Sequence, residues 1–485
     1  MAAMSDTPSP TGAAGWSRTV PLIVATAYFM ETLDGTVVNT ALPAMAAAFG
    51  TTPLAMSLGI TAYLLAVVVF IPAAGWAAET FGARNVFAGA VAAFTLASLA
   101  CGLAGSLPVF VVARILQGAA AAFMSPVGRI VVLHEAPRNR LIEAVATITW
   151  PALIAPVVGP VLGGALIQVA SWRWIFFLNI PLGLAGVLLV LRFIPRHAAG
   201  ERRRFDLRGF ALTGVALATL VQGLTQLGEH AGSATVALPL IAVGLVAGTA
   251  AWRHARRAPT PLLPLSALAV GSFFHASAGA GFVARTAINA SPFLLPLMFQ
   301  LAFGMTALQA GALVLVYMAG NLAMKTRTTA VLRRFGYRDV LAWVGLACAA
   351  TMAACGLLRP GVPVAVLYPL LFAAGMARSM YFTAVTTMAF VDVTPAQRAG
   401  ASALATLLVQ LSLALSVALA TFVLSASRAL HGGATLHLAD FHHAWWAIAA
   451  LMAGAALAAL RLDRATGAST TGVNTPASSA GTGSR

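Results

Sequence analysis

Fourteen apolar runs, each close to the roughly 20 residues a helix needs to cross a bilayer, divide this chain. They lie near 20–42, 54–75, 85–104, 108–131, 144–168, 172–194, 207–228, 234–252, 268–301, 306–325, 338–358, 362–388, 400–425 and 443–463. Soluble domains carry about 25% charged residues, whereas this chain carries 9% and is 60% hydrophobic over 485 residues. Such a sequence is an all-α polytopic membrane protein. The first run is too long for a cleavable leader and holds two acids.

The charges test this division independently. The formal net charge is +16, yet no nucleic acid is expected as a partner, because the basic residues fall between the apolar runs. Arg84, Arg138, Arg140, the cluster Arg196–Arg208, Arg253–Arg257, the stretch Lys325–Arg338 and Arg398 put 17 basic residues in every second connection. The alternate connections hold only Arg173, Arg359 and Arg428. Positive residues stay on the cytoplasmic side, so an even number of spans places both termini in the cytoplasm. The expected organisation is a disordered tail over 1–17 and a six-helix bundle over 18–194. A cytoplasmic linker with two inserted helices over 195–267, a second six-helix bundle over 268–463 and a disordered tail over 464–485 complete it. FGAR at Phe81–Arg84 and RRFGYR at Arg333–Arg338 both follow the second span of their half, the internal symmetry of a repeated transporter fold.

Carboxylates inside a span are costly, by roughly 2.5–3.5 kcal/mol on insertion scales. The first span nevertheless carries Glu31 and Asp34, three residues apart on one helix face. That face is expected to meet water, a partner or a substrate. Arg114, with Gln117 and Gly118 beside it in span four, needs a carboxylate, a carbonyl or water, or else snorkels to the interface. Arg285, one turn before Asn289 in span nine, and Arg378 in span twelve sit near span centres. Each either lines a cavity or makes an internal ion pair. Gly75, Glu79, Gly82 and Arg84 form a tight turn that is either a gating element or an ordinary charged loop. The prolines and glycines of span five, including Gly159, Pro160, Gly163 and Gly164, serve close packing or a hinge. Trp172, Arg173, Trp174, Phe176 and Phe177 read as an interfacial belt.

Other chemistries find little support. Cys101, Cys348 and Cys355 lack metal or disulfide spacing, and His275 reads as a core residue. The group His431, His437, Asp440, His442 and His443 has no recognised ligand spacing and reads as a solvated loop, so no metal is expected. No phosphate-cradling loop with Lys and Ser/Thr is present, so neither ATP nor another cofactor is expected, and no enzymatic site emerges.

At several spans in order, the residues resemble the fourteen-helix drug:proton antiporter family of the major facilitator superfamily. Leu33-Asp34-x-Thr36-Val37-Val38-Asn39-x-Ala41-Leu42-Pro43 is similar to that family's first-helix motif. Gly75–Arg84 is similar to the superfamily's loop motif, Arg114-x-x-Gln117-Gly118 to its fourth-helix motif and Gly159-Pro160-x-x-Gly163-Gly164 to the antiporter motif. PVGR at Pro126–Arg129 and RRFGYR point to a bacterial multidrug-transporter subgroup. The resemblance runs from about 18 to 463. Departures are Glu79 for the usual Asp, Thr80 at a basic position, Gly35 for a bulkier residue and Ala155 for Gly.

The resemblance implies a major facilitator fold: two six-helix bundles rocking about a central cavity, with two inserted helices. It implies proton-coupled efflux of drugs or other small amphipathic molecules from the bacterial inner membrane. Asp34 and Glu31 would take the proton. Arg114 would tune them, since a nearby positive charge and burial act on a carboxylate in opposite directions. Asp34, Glu31, Asn39, Gln117, Arg285, Asn289 and Arg378 would line the substrate cavity. Arg285 and Arg378 also admit an exporter of an anionic metabolite or a metal chelate. A non-transporting sensor or scaffold is a third class, against which the lack of a long soluble domain counts. The partners expected are a substrate, protons and the bilayer, with the chain a monomer, with or without a periplasmic adaptor.

Overall fold

A computed structural model describes residues 18–137, 140–196, 204–229, 234–258, 261–262, 265–394, 397–430 and 435–463. The tails expected at 1–17 and 464–485 lie outside the described residues. Within those described, the chain is helical throughout: α1 (Thr19–Phe49), α2 (Pro53–Phe70), α3 (Ala73–Phe81), α4 (Ala83–Leu103), α5 (Leu107–Glu135), α6 (Leu141–Val169), the single turn α7 (Trp174–Phe177) and α8 (Asn179–Phe193) come first. The pair α9 (Leu207–Glu229) and α10 (Ala234–Arg257) follows. Next are α11 (Gly271–Ser277), α12 (Ala280–Leu301), α13 (Ala307–Lys325), α14 (Thr328–Cys355), α15 (Val364–Met388), α16 (Arg398–Leu430) and α17 (Leu438–Ala459).

Among the described residues, thirteen helices are long and apolar enough to cross a membrane. The expectation was fourteen, and the run not among the thirteen is the first. Glu31, Asp34, Asn39 and five threonines dilute the hydropathy of α1. Its 31 residues still extend about 46 Å at 1.5 Å per residue, more than the roughly 30 Å of a bilayer core.

The two FG turns share one backbone solution. Gly82 separates α3 from α4 at φ 82°, and Gly336 kinks α14 at φ 72°. Both values lie in the left-handed region that side chains disfavour. Two residues on, each turn places an arginine on the end of its half's last long helix. Arg84 donates to the Leu191 carbonyl near the end of α8. The Arg338 Nε donates to the Leu460 carbonyl, 3.1 Å away, just past α17. Cations suit these helix ends, where carbonyls lack helical partners.

The helix pair α9–α10 sits at the seam, with α9 against both α2 and α16. Asp206 clips its near end, accepting from the Gly209 amide at 2.9 Å, from His254 at 2.7 Å and from the Leu262 amide at 3.3 Å. Partial burial pushes the Asp206 carboxyl up, but these bonds outweigh it and hold it below the ordinary value. At the start of α6, Glu143 is likewise held below the usual carboxylate value by its bonds to Arg18 and Arg140.

Two apolar clusters make the core. One stays within α1–α8, around Val24, Met30, Val67, Phe87, Phe94 and Met124, at the end where α1 begins. The other joins Leu33, Leu42, Ile60, Phe110 and Phe176 to residues of α11–α17. The two halves therefore fuse only toward the end where α1 terminates. Small residues allow that contact. A Cβ on Gly164 would lie 2.6 Å from the Ala307 carbonyl, and one on Gly311 would lie 2.3 Å from that of Pro160. Gln300 donates to the Thr40 carbonyl at 3.0 Å, and the hydroxyls of Ser57 and Thr421 are 3.2 Å apart.

The expected aromatic belt needs correction. Trp174 is exposed, but Trp172 and Phe176 are buried and pack with Phe49 and Phe110, with ring centroids 5.3–6.4 Å apart. Of the group expected in a solvated loop, His431 lies outside the described residues and His437 and His443 are exposed, but Asp440 differs. Asp440 is fully buried in the first turn of α17 and accepts from the Ser427 hydroxyl at 2.6 Å. Trp172 is enclosed by the apolar cluster that joins the halves, and Asp440 is tied to α16.

Oxidation of the double variant Ser57→Cys/Thr421→Cys should cross-link the halves at this end. The expected outcome is a disulfide on non-reducing peptide mapping that a reductant reverses. Failure to cross-link would contradict this closed end.

Candidate functional site

The site is a polar layer that cuts the core of the first half in two. Arg114, two turns into α5, is 1% exposed, and Asp34, from the middle of α1, is equally buried. The Arg114 Nη1 donates to Asp34 Oδ2 at 2.6 Å and to Gln117 Oε1 at 2.6 Å, and its Nε reaches the Gly59 carbonyl at 3.3 Å. The guanidinium lies 4.1 Å from the Tyr63 ring centroid. Gln117 Nε2 donates to Asp34 Oδ1 at 3.0 Å and to the Ser98 hydroxyl at 2.7 Å. Asn179, opening α8, donates to the same hydroxyl at 3.1 Å. Five helices, α1, α2, α4, α5 and α8, thus meet in one network around this carboxylate. Arg114 takes a carboxylate partner rather than snorkelling.

Glu31 is held differently. It lies one turn earlier, is only partly buried, and accepts a hydrogen bond from Ser125 of α5. Tyr28 donates to the Ser125 carbonyl. A Cβ on Gly35, one turn beyond Glu31, would meet nothing within 4 Å. The α1 face carrying Glu31 and Gly35 therefore fronts open space, while Asp34 is sealed behind it. Asn39 is on the same helix, with its buried Oδ1 lacking a partner.

The glycines of α6 do two jobs. A Cβ on Gly159 would come within 2.4 Å of Thr36, and one on Gly163 within 2.7 Å of Val37, both on α1. Pro160 and Gly164 instead face α13. So α6 is wedged between the halves.

Near its span centres the second half carries the cations Arg285 and Arg378. Arg285 is 1% exposed and donates to the Ala276 carbonyl. It is walled in by packing, not lining the cavity between the halves. Arg378 is half-buried and reaches Asn289 Oδ1 at 3.4 Å. Neither makes an ion pair among the described residues, so that reading is set aside. Asn289 and Arg378 line a cavity of about 230 Å³ between α6 and helices α12, α13, α15 and α16. Glu79, Gly82 and Arg84 line a separate cavity of about 400 Å³ near the start of α4, and Gly75 is exposed on α3. No group of three or more His, Cys, Asp or Glu able to hold a metal occurs among the described residues.

Ser98, Ser125 and Asn179 are site residues that the sequence did not single out for this role. A lone serine in an apolar run is a weak signal. Asn179 falls inside the aromatic stretch that opens the sixth span.

The model of the Major Facilitator Superfamily matches residues 24–417. The chain belongs to the major facilitator superfamily. Within that superfamily it is 35% identical over 456 residues to "Putative multidrug resistance protein MdtD" of Escherichia coli O6:H1, covering 93% of this chain and 94% of the relative. It is also 35% identical over 445 residues to the protein of that name from Salmonella paratyphi B, covering 89% and 92%. Among superfamily structures, a D-xylose–proton symporter superposes with a TM-score of 0.66 at 15% identity, covering 93% of this chain and 99% of that one. A bacterial homolog of the human lysosomal transporter Spinster, inward-facing and unoccupied, gives 0.62 at 16% identity, covering 95% and 98%. At these identities the structural likeness concerns the fold.

Removing Arg114 leaves a buried carboxylate unpaired, which costs about 3–5 kcal/mol. Arg114→Ala should therefore unfold at a markedly lower temperature in detergent. Adding Asp34→Asn should recover a large part of that loss. Additive losses in this double-mutant cycle would show that the pair is not coupled.

Proposed function

We propose that this superfamily member is a proton-coupled efflux antiporter of the bacterial inner membrane. It crosses fourteen times, with α1 as the first span and both termini in the cytoplasm, as the 17-to-three division of basic residues supports. Its substrates are drugs or other small amphipathic molecules, in keeping with the printed names of its relatives. The observation that carries this reading is the pairing of one sealed and one accessible carboxylate on a single helix.

The halves meet toward the α1 terminus, and the inter-half cavity includes Lys325 at the opposite end of α13. With the termini inside, this is an inward-open state. Glu31 then meets the cytoplasm, while Asp34 is locked to Arg114. Rocking the bundles reverses access, and the Arg114–Gln117–Asn179 set is the element that registers whether Asp34 carries a proton. A protonated Asp34 loses its charge-assisted bond to Arg114, so proton uptake and helix packing are linked.

Gradient-driven efflux of a fluorescent amphiphile from proteoliposomes tests the assignment. Asp34→Asn should lose its response to an imposed pH gradient while retaining the fold. Glu31→Gln should keep that response and change which amphiphiles are carried. Full gradient-driven transport by Asp34→Asn would remove Asp34 as the coupling site.

A further inference from the structure

The second half contains positive charge that no acid among the described residues pairs with. Arg378 and Lys325 line the same inter-half cavity, with Asn289, Asn321 and Ser379 beside them. Lys325 donates to the Thr383 hydroxyl at 3.1 Å, and Arg378 has a long contact to Asn289 and the Tyr317 ring centroid 6.0 Å from its guanidinium. None of the ion pairs among the described residues includes either cation. The Arg378 Nε is buried without a partner. Ser379 is 1% exposed, and its hydroxyl likewise has no partner. Buried donors left unpaired are costly, and buried cations are normally paired. The unmet donors here mark a place for an acceptor.

The chemistry of the walls gives that acceptor its class. Every polar lining residue comes from α12, α13 or α15, whereas α6 contributes only Leu153, Pro156 and Val157. A ligand filling this space has an anionic end on one side and an apolar body on the other. We propose that the cavity binds an amphipathic organic carboxylate, its charged end on Arg378 and Lys325 and its body against α6. Arg285, sealed behind the Ala276 carbonyl, takes no part. The proposal rests on the efflux reading for its biological meaning. It divides the work between the halves: acids handle the proton in the first, and cations hold the substrate's charge in the second.

Binding can be tested without any gradient, and so apart from transport. Full-length protein in detergent near neutral pH is titrated calorimetrically with 1-naphthoate, its neutral counterpart 1-naphthamide and the cation 1-naphthylmethylammonium. Naphthoate should bind roughly tenfold or more tightly than the amide, the scale of one or two charged hydrogen bonds. Arg378→Gln and Lys325→Gln should each remove most of that preference and leave amide binding unchanged. Arg378→Lys, which keeps the charge and guards against a variant that fails to fold, should retain part of it. Absence of naphthoate binding, equal binding of acid and amide, or unchanged preference in both glutamine variants would overturn the proposal. Those results would leave the response of Asp34→Asn to a pH gradient, and hence the antiporter reading, standing or falling separately.

Discussion

The ion pair between Arg114 and Asp34 is the constraint on which the first half is built. An arginine does not lose its proton in a protein, so an Arg at 1% exposure needs acceptors wherever it is placed. It has three: a carboxylate, an amide oxygen and the Gly59 carbonyl. Gly118 is part of the same arrangement, since a Cβ there would lie 2.3 Å from the Tyr63 carbonyl. With that clearance α5 packs closely on α2. The layer sits where the apolar core divides, between Met30 and Leu33 on α1 and between Ala113 and Ala120 on α5. Below it the first half packs on itself. Above it the first half packs on the second.

That division explains how two bundles can share one core and still move. Under the proposed rocking, the cluster that stays within the first half would persist. The cluster that spans both halves would have to part. It is closed by backbone approach at Gly164 and Gly311 and by few side-chain hydrogen bonds. Such contacts gain mainly from close packing and leave no charged group stranded when they part. The acids and cations lie away from that surface, in the layer or in the cavity.

Much of this was legible in the sequence, and what was not has a physical reason. Helical runs, their alternation of charge and the paired FG turns are local properties. Gly82 and Gly336 both occupy the left-handed region, as their matching contexts implied. Arg114 was seen to need a partner, and Glu31 and Asp34 were both open to it. Which acid would be sealed was not legible, because Glu31 and Asp34 are three residues apart and share a helix face. Their environments differ through what other helices bring: Arg114, Gln117 and Asn179 to Asp34, but Ser125 to Glu31. Arg285 and Arg378 looked alike, each central in its span. Packing separates them, with one sealed on a carbonyl and the other open to the cavity. Trp172 and Asp440 were misjudged because an aromatic or a polar residue at a helix end normally meets the interface, whereas here Trp172 packs into the cluster that joins the halves and Asp440 is tied to Ser427 of α16.

The unbalanced cations also bear on obligatory exchange. In the present state the cavity holding Arg378 and Lys325 reaches the open end, where water can solvate them. Closing that end would withdraw both from water, at several kcal/mol per ion. A carboxylate seated between them would offset most of that cost, since attraction strengthens as the dielectric falls. The loaded carrier would then close readily and the empty one would not. In the first half the logic is opposite: Asp34 is already paired, so its layer is stable without a ligand and is disturbed only by a proton. One half would be gated by filling a vacancy in charge, the other by cancelling a charge already balanced. In the proposed antiporter, alternation between them would follow from electrostatics without any direct contact between proton and substrate.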